Sequence, residues 1–270
     1  MVMSKIGKAF VYIFLSIAAF VSIFPFAWMV IGATNKSVDI MKGKISFGTH
    51  FISNVEKLFA GANIGVALWM SVKIAVLGTI VALVLCSMAG YGFEIFQSKR
   101  RDQVLGALML SMMVPFAAVM IPLFKMFSML GLLDTSIAVV LPGLSTAFLI
   151  FFFRQNTKAF PREILEAARV DGLGEIQAFF GIYIPTMKST YAAAAIITFM
   201  SYWNSFLWPL IALQSPEKKT LPLVVSTFAS GYSPDYGIIM VAIIIITIPT
   251  ALVFFLMQKN FVEGVVGAVK

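Results

Sequence analysis

The chain has 270 residues, of which 60% are hydrophobic and only 12% charged, against roughly 25% charged in an average soluble domain. A soluble core cannot hide that much apolar side chain behind so few polar ones, so the length is better divided by the roughly 20 residues each bilayer crossing needs than into soluble domains. One cysteine, Cys86, and one histidine, His50, exclude a disulfide framework and a cysteine- or histidine-built metal site, and the formal charge of +8 suits anionic headgroups without invoking nucleic acid.

Six stretches are long and apolar enough to read as transmembrane helices, which makes the expected fold all-α and polytopic. The first, 9–31, has too long an apolar run and no small-residue cleavage site for a signal peptide, so it reads as a retained span. The loop 33–63 that follows is too short for a folded external domain, and its His50 has no partner for metal binding. The second span is 66–93 and the third 104–124; the fourth, 136–153, is interrupted by Pro142 and Gly143; the fifth is 190–213 and the sixth 236–257. The chain thus divides into a first helix with its loop (1–65), a core (66–258) containing a long loop at 154–189, and a tail (259–270).

Basic residues set the orientation. With the N-terminus inside, segments 1–8, 94–103, 154–189 and 258–270 hold twelve Lys and Arg, against seven outside. The positive-inside rule therefore puts both termini in the cytoplasm. Trp28, Trp69, Trp203 and Trp208 fall near outer ends of spans, where tryptophan anchors to the interface.

Loop 154–189 is long for a connection between packed helices. Pro161 is placed to open a helix, Glu163 and Glu166 lie toward its positive end, and Gly172 marks its stop. Ile164, Leu165 and Ala168 form an apolar stripe between them. A helix with a small Ala167–Ala168 face and a charged rim suits docking into a groove on a cytoplasmic partner; the same amphipathicity would also serve a helix lying on the membrane. No phosphate-binding loop and no zinc-protease motif occurs. Among the acidic residues none reads as deep in a span; Glu94 and Asp102 flank an inner loop, and Lys73 can snorkel outward. Energy for transport would then enter from elsewhere.

Glu166-Ala167-Ala168, followed by Asp171-Gly172, Ile182 and Pro185, resembles the cytoplasmic EAA loop of bacterial ABC importer permeases. The longer run Pro161–Gly172, PREILEAARVDG, is similar to the carbohydrate branch and to its MalG-like half; Trp203-Asn204-Ser205-Phe206, Pro209-Leu210 and the ending FVEGVVGAVK agree, and Ile184 stands where the family usually has leucine. The resemblance spans essentially the whole chain. It implies the MetI/MalG-like permease fold in a bacterial cytoplasmic membrane, with no cofactor in this chain, and ATP and magnesium bound by a partner ATPase. It also implies a second, MalF-like permease, two ATPase copies and an extracellular or lipid-anchored sugar-binding protein.

By the same resemblance, the helix around 162–171 couples to the ATPase through Arg162, Glu163, Leu165, Glu166, Ala167, Ala168, Asp171 and Gly172. The tail carries Phe261, Glu263, Gly264 and Gly267 toward the ATPase interface. The permease makes no covalent change and is not itself an enzyme. Tyr202, Trp203, Asn204 and Trp208 offer the aromatic faces and amide that a sugar path uses; equally, Trp203 would pack on the partner permease and Asn204 would satisfy a helix break before Pro209. The expected activity is import of a sugar, an oligosaccharide by branch, with another organic solute as the nearest alternative and an independent secondary transporter further off.

Overall fold

The computed structural model describes residues 5–231 and 234–267, with residues 5, 6, 257 and 259–267 described by backbone alone. All regular structure among them is helical. In chain order the elements are α1 (Lys5–Ala33), α2 (Ser37–Met41), α3 (Phe51–Gly61), α4 (Ile64–Ile95), α5 (Lys99–Ser111), α6 (Phe116–Met129), α7 (Ser136–Val140) with a 3-10 turn Leu141–Gly143, and α8 (Ala147–Thr157). Then come α9 (Arg162–Val170), α10 (Glu175–Ala178) running into a π turn Phe179–Tyr183, α11 (Ile184–Thr186), α12 (Lys188–Trp203), α13 (Leu207–Ala212), α14 (Leu221–Ala229) and α15 (Tyr236–Gly267).

Among the described residues, three helices are each long and apolar enough to cross a membrane: α1 over Gly7–Ala33, α4, and α15 over Tyr236–Leu256. Two bent pairs pass the same test together, α5 with α6 at 98° and Ser136–Gly143 with α8 at 47°. Against the six expected spans, only three helices and two bent pairs meet this test, and the differences have local causes. The stretch 104–124 breaks because Pro115 cannot donate to the carbonyl of Ser111 and pushes Val114 out of helical geometry; α5 closes instead through short bonds from the amides of Met113 and Val114 to Leu110 and Ser111. The stretch 190–213 stops at Trp203, with Asn204 as C-cap, and restarts as the short α13 with Pro209 in its first turn, where a missing N–H costs least. The break at Pro142–Gly143 falls where the sequence placed it. The last helix runs without interruption past 257 to Gly267; the side-chain contacts of Phe261, Glu263, Gly264 and Gly267 lie outside the described residues.

The chain forms two compact units, Met1–Ile64 with Val224–Ile248, and Gly65–Leu223 with Pro249–Lys270. In the first, α1 leaves its apolar side chains exposed along its length, as a lipid-facing helix does. Its last turn is tied off by buried amides: Asn35 Nδ2 donates to the carbonyl of Ile31 at 2.9 Å and Asn54 Nδ2 to that of Ala33 at 2.9 Å. Carbonyls orphaned at a helix end are thereby paired. His50 stands at the N-cap of α3, its amide donating to Thr34 at 2.9 Å, a local bonding role.

Among the described residues of the second unit are three apolar centres. One gathers Ile74, Phe127, Val139, Trp208 and Leu223; another Cys86, Leu105, Leu149, Ile150 and Phe153; the third Tyr91, Phe160, Leu165, Ala178, Phe179 and Tyr183. Glycine brings α4 and α8 into backbone contact, since a Cβ on Gly90 would lie 2.6 Å from Cβ of Phe153 and 2.8 Å from the amide of Arg154. Lys73 is exposed on α4.

Candidate functional site

Helix α9 spans Arg162–Val170 with Pro161 at its N-cap, Glu163 in its first turn and Arg169 in its last. Its C-terminus is a Schellman closure: the amide of Leu173 donates to Ala168 at 3.0 Å and that of Gly172 to Arg169 at 3.1 Å, with Gly172 at φ +82°. Only glycine takes that left-handed position without a Cβ penalty. Leu165 and Ala168 are the buried residues of the helix, and Leu165 enters the aromatic centre of Tyr91, Phe160, Phe179 and Tyr183. Ile164, expected on the same stripe, is 41% exposed. The outward face carries Glu163, Glu166, Ala167 and Val170, all exposed, at the i, i+3, i+4, i+7 spacing of one helix side. Asp171 is exposed at the C-cap.

Both ends of α9 are held by ionic contacts. At the C-terminal end, Arg169 Nε donates to Glu175 Oε1 at 2.7 Å, while Glu175 Oε2 accepts from the hydroxyl of Tyr91 at 3.2 Å. The Arg169 hydrogen bond holds the Glu175 carboxyl below the ordinary carboxylate range. At the N-terminal end, Arg162 Nη2 donates to Glu94 Oε1 at 2.9 Å. Glu94 is 3% exposed and also receives Gln97 Nε2 at 2.7 Å and lies 3.4 Å from Arg154 Nε. Arg154 Nη2 in turn reaches Asp102 Oδ1 at 2.6 Å.

Sequence reading placed Glu94 beside a loop and missed this role. The partners are 60 and 68 residues away in sequence, in elements that only the fold brings together. The available signal was negative: positions 90, 91, 97 and 98 hold Gly, Tyr, Gln and Ser, so Glu94 has no basic partner one turn away on its own helix.

A second feature of the same unit is a cavity of about 540 Å³. Thr146, Thr198, Ser201, Asn204 and Ser205 supply hydroxyl and amide groups to its wall, beside the rings of Phe116, Phe148, Tyr202 and Trp208. No charged side chain is among its described lining residues. Of the four residues singled out in sequence, Tyr202, Asn204 and Trp208 meet here, and Trp203 does not. Trp203 is 1% exposed and stacks on Phe199 at 5.7 Å between centroids, which leaves it no surface for a partner permease.

Trp208 is likewise buried, so neither serves as an interface anchor; Trp69, 66% exposed, is free to do so. The cause lies in Pro142. Proline has no N–H for the carbonyl of Ala138, and Trp208 Nε1 takes that place at 2.8 Å. Leu144 turns its amide to Leu141 in the 3-10 turn, and the carbonyl it would have met, that of Val140, accepts from the Tyr202 hydroxyl at 3.0 Å. Tyr202 fits because two glycines make room: a Cβ on Gly78 or Gly143 would come within 2.7 or 2.6 Å of it. Asn204 is exposed and its Nδ2 donates to Met200 at 2.9 Å, which satisfies the helix break.

Among the described residues, no group of His, Cys, Asp and Glu is arranged to hold a metal ion. The solved structure of a bacterial ABC transporter involved in the import of the acidic polysaccharide alginate matches the fold with TM-score 0.84 over 97% of this chain and 99% of that one, at 20% identity. The lactose transport system permease protein LacG of Rhizobium radiobacter is 55% identical over 259 residues, 96% of this chain and 95% of that protein. The arabinooligosaccharides transport system permease protein AraQ of Bacillus subtilis is 32% identical over 264 residues, 96% of this chain and 94% of that one. The family model of the binding-protein-dependent transport system inner membrane component matches residues 82–266, and the chain belongs to that family of membrane-embedded ABC importer permeases.

Proposed function

We propose that this chain is one permease of an ATP-driven importer for a neutral oligosaccharide, with α9 as the helix that seats in a cytoplasmic ATPase. The observation that carries the reading is the outward stripe Glu163, Glu166, Ala167 and Val170 on a helix whose inner side and both ends are fixed to its own bundle. A short helix so held transmits force, and small Ala167 beside two carboxylates suits a close, basic-rimmed groove. In this reading a second permease completes the pathway and two ATPases bind beneath the pair. A sugar-binding protein delivers substrate from outside, and both termini face the cytoplasm. The bent pairs and α12–α13 supply the crossings beyond α1, α4 and α15, for six in all. ATP-driven closure of the ATPases rocks the bundles, and hydrolysis resets them.

For substrate, the hydroxyl- and amide-bearing cavity without charged lining supports a neutral solute, and the relatives named for lactose and arabinooligosaccharides support a sugar of more than one unit. Purification of the chain in mild detergent from its native membrane, with mass spectrometry of what accompanies it, tests the assembly. Reconstitution of that complex with ATP and labelled lactose or arabinotriose tests the transport. Uptake driven by an ion gradient without ATPase subunits would overturn the proposal.

A further inference from the structure

We infer that one turn of α4, Tyr91 to Glu94, clamps both ends of α9 and is the point at which ATPase motion enters the membrane bundle, with Glu94 as its positioning residue. The inference rests on the importer reading above. Residues 91 and 94 lie on one face of α4, three apart. Glu94 holds the first residue of α9 through Arg162 at 2.9 Å, and Tyr91 holds the last turn through Glu175 and Arg169 at 3.2 and 2.7 Å. Between these two ties Leu165 packs into the rings around Tyr91. A push on the exposed side of α9 therefore cannot rotate or slide the helix without moving α4.

The same carboxylate carries the motion further. Glu94 lies 3.4 Å from Arg154 on α8, and Arg154 reaches Asp102 on α5 at 2.6 Å. One turn earlier, Gly90 brings the α4 and α8 backbones into contact, so those two helices shift together. Arg154 belongs to the helix whose Thr146 end lines the cavity. The path from docking face to cavity thus runs α9, Glu94, α4 and α8, through charged contacts centred on the buried Glu94 carboxylate, with Arg162 and Asp102 half-exposed at their outer ends. Glu94 Oε1 accepts from Arg162 at 2.9 Å and from Gln97 at 2.7 Å, while Oε2 meets Arg154 Nε only as an ion pair at 3.4 Å, without a hydrogen bond. Burial of a carboxylate is costly unless it is paired, and this one is held by cations from two other helices, as a junction requires.

The test uses the complete transporter in proteoliposomes with ATP and labelled lactose or arabinotriose, reading saccharide imported per ATP hydrolysed. Glu94→Gln, which keeps size and loses charge, should retain hydrolysis while import per ATP falls about fivefold. Tyr91→Phe, which keeps the ring in place, should lower the same ratio about twofold, and the double variant should fall below either. Both assembled variants at the wild-type ratio would overturn the inference, and so would hydrolysis and import declining together with the ratio unchanged, since that is a structural effect only. If Glu94→Gln does not assemble, Tyr91→Phe decides by the same ratio. Wild-type complex that shows no ATP-driven uptake would overturn the importer reading, and this inference with it.

Discussion

Helix α9 and the cavity wall around α7 and α13 belong to one compact unit, yet they are held by opposite means. At α9 the fixing contacts are charged: Arg162 to Glu94, Arg169 to Glu175, with a left-handed glycine closing the helix. At the cavity they are neutral, with an indole N–H and a phenol hydroxyl feeding backbone carbonyls left free by Pro142 and by the 3-10 turn around it. Charged pairs resist displacement in a stated direction and suit a part that is pushed. Neutral contacts leave the wall without fixed charge and suit a surface past which an uncharged solute moves.

Leu165→Ala removes the apolar anchor of α9, a side chain 1% exposed. Loss of a buried leucine of this kind costs about 3 kcal/mol, so the melting temperature of the purified chain in detergent should fall clearly. If it does not, the ion pairs alone hold the helix and the contrast with the cavity end becomes sharper.

Asp134 is where the comparison meets a mixed case. It lies in the turn between α6 and α7 at φ 60°, accepts the amides of Gln214 and Ser215 at 2.9 Å each, and receives the hydroxyl of Ser215 and the Lys218 ammonium, the latter at 3.0 Å. The Ser215 hydroxyl foremost, then its amide, hold this carboxyl well below the ordinary carboxylate range. A folded-state value depressed in this way contributes stability that is complete above the unfolded value of about 4 and is lost as pH falls below it toward the lowered value. Asp134→Asn, whose side chain tolerates the same backbone, should cost about 2 kcal/mol at pH 7. It should also flatten the loss of melting temperature below pH about 4. An unchanged acid profile would assign the acid sensitivity to other carboxylates.

Glu166→Ala acts on the exposed stripe, and the proposed docking of α9 expects its effect on partner contact and not on folding. Import by the assembled transporter should drop about tenfold, as for a residue central to an interface, with the melting temperature of the chain unmoved. Equal losses in both would mean that Glu166 supports its own helix.

How much of this was legible in the sequence follows the same division. The start and stop of α9 were readable because proline, acidic first turn and glycine act within a few residues; the Ala167–Ala168 face was not, since Ala168 is buried against the bundle and only Ala167 faces out. Of the three residues of the inner stripe, Leu165 and Ala168 are buried, while Ile164 is turned outward, since nine residues are too few for periodicity to fix the angle. Glu94 was not readable as a junction, because its ion pairs close across 60 or more residues. The tryptophans misled for a related reason. Their position near span ends suggested interface anchoring, but Trp208 is consumed by the carbonyl that Pro142 leaves free, and Trp203 is buried against Phe199. The break at Asn204 was readable from Pro209 behind it, whereas the bend at Pro115 was hidden by continuous apolarity, which hydropathy reads as length and not as shape.

Trp208→Phe isolates the neutral contact at the smallest expected cost. Its indole N–H donates at 2.8 Å to Ala138, whose helical partner Pro142 cannot, while its ring meets Phe127 at 5.5 Å and Phe116 at 6.4 Å between centroids. Phenylalanine retains much of that edge packing and removes only the donor, leaving a buried carbonyl unpaired for about 1 kcal/mol. Tyr202→Phe does the same to the carbonyl of Val140, and the two donors sit on opposite sides of the break Asn204–Phe206. If the hydroxyl and indole act independently, the double variant should show the sum of the single melting shifts; a larger loss would mean that they share the work of holding the 3-10 turn, and that α7 and α13 yield together once either carbonyl is free.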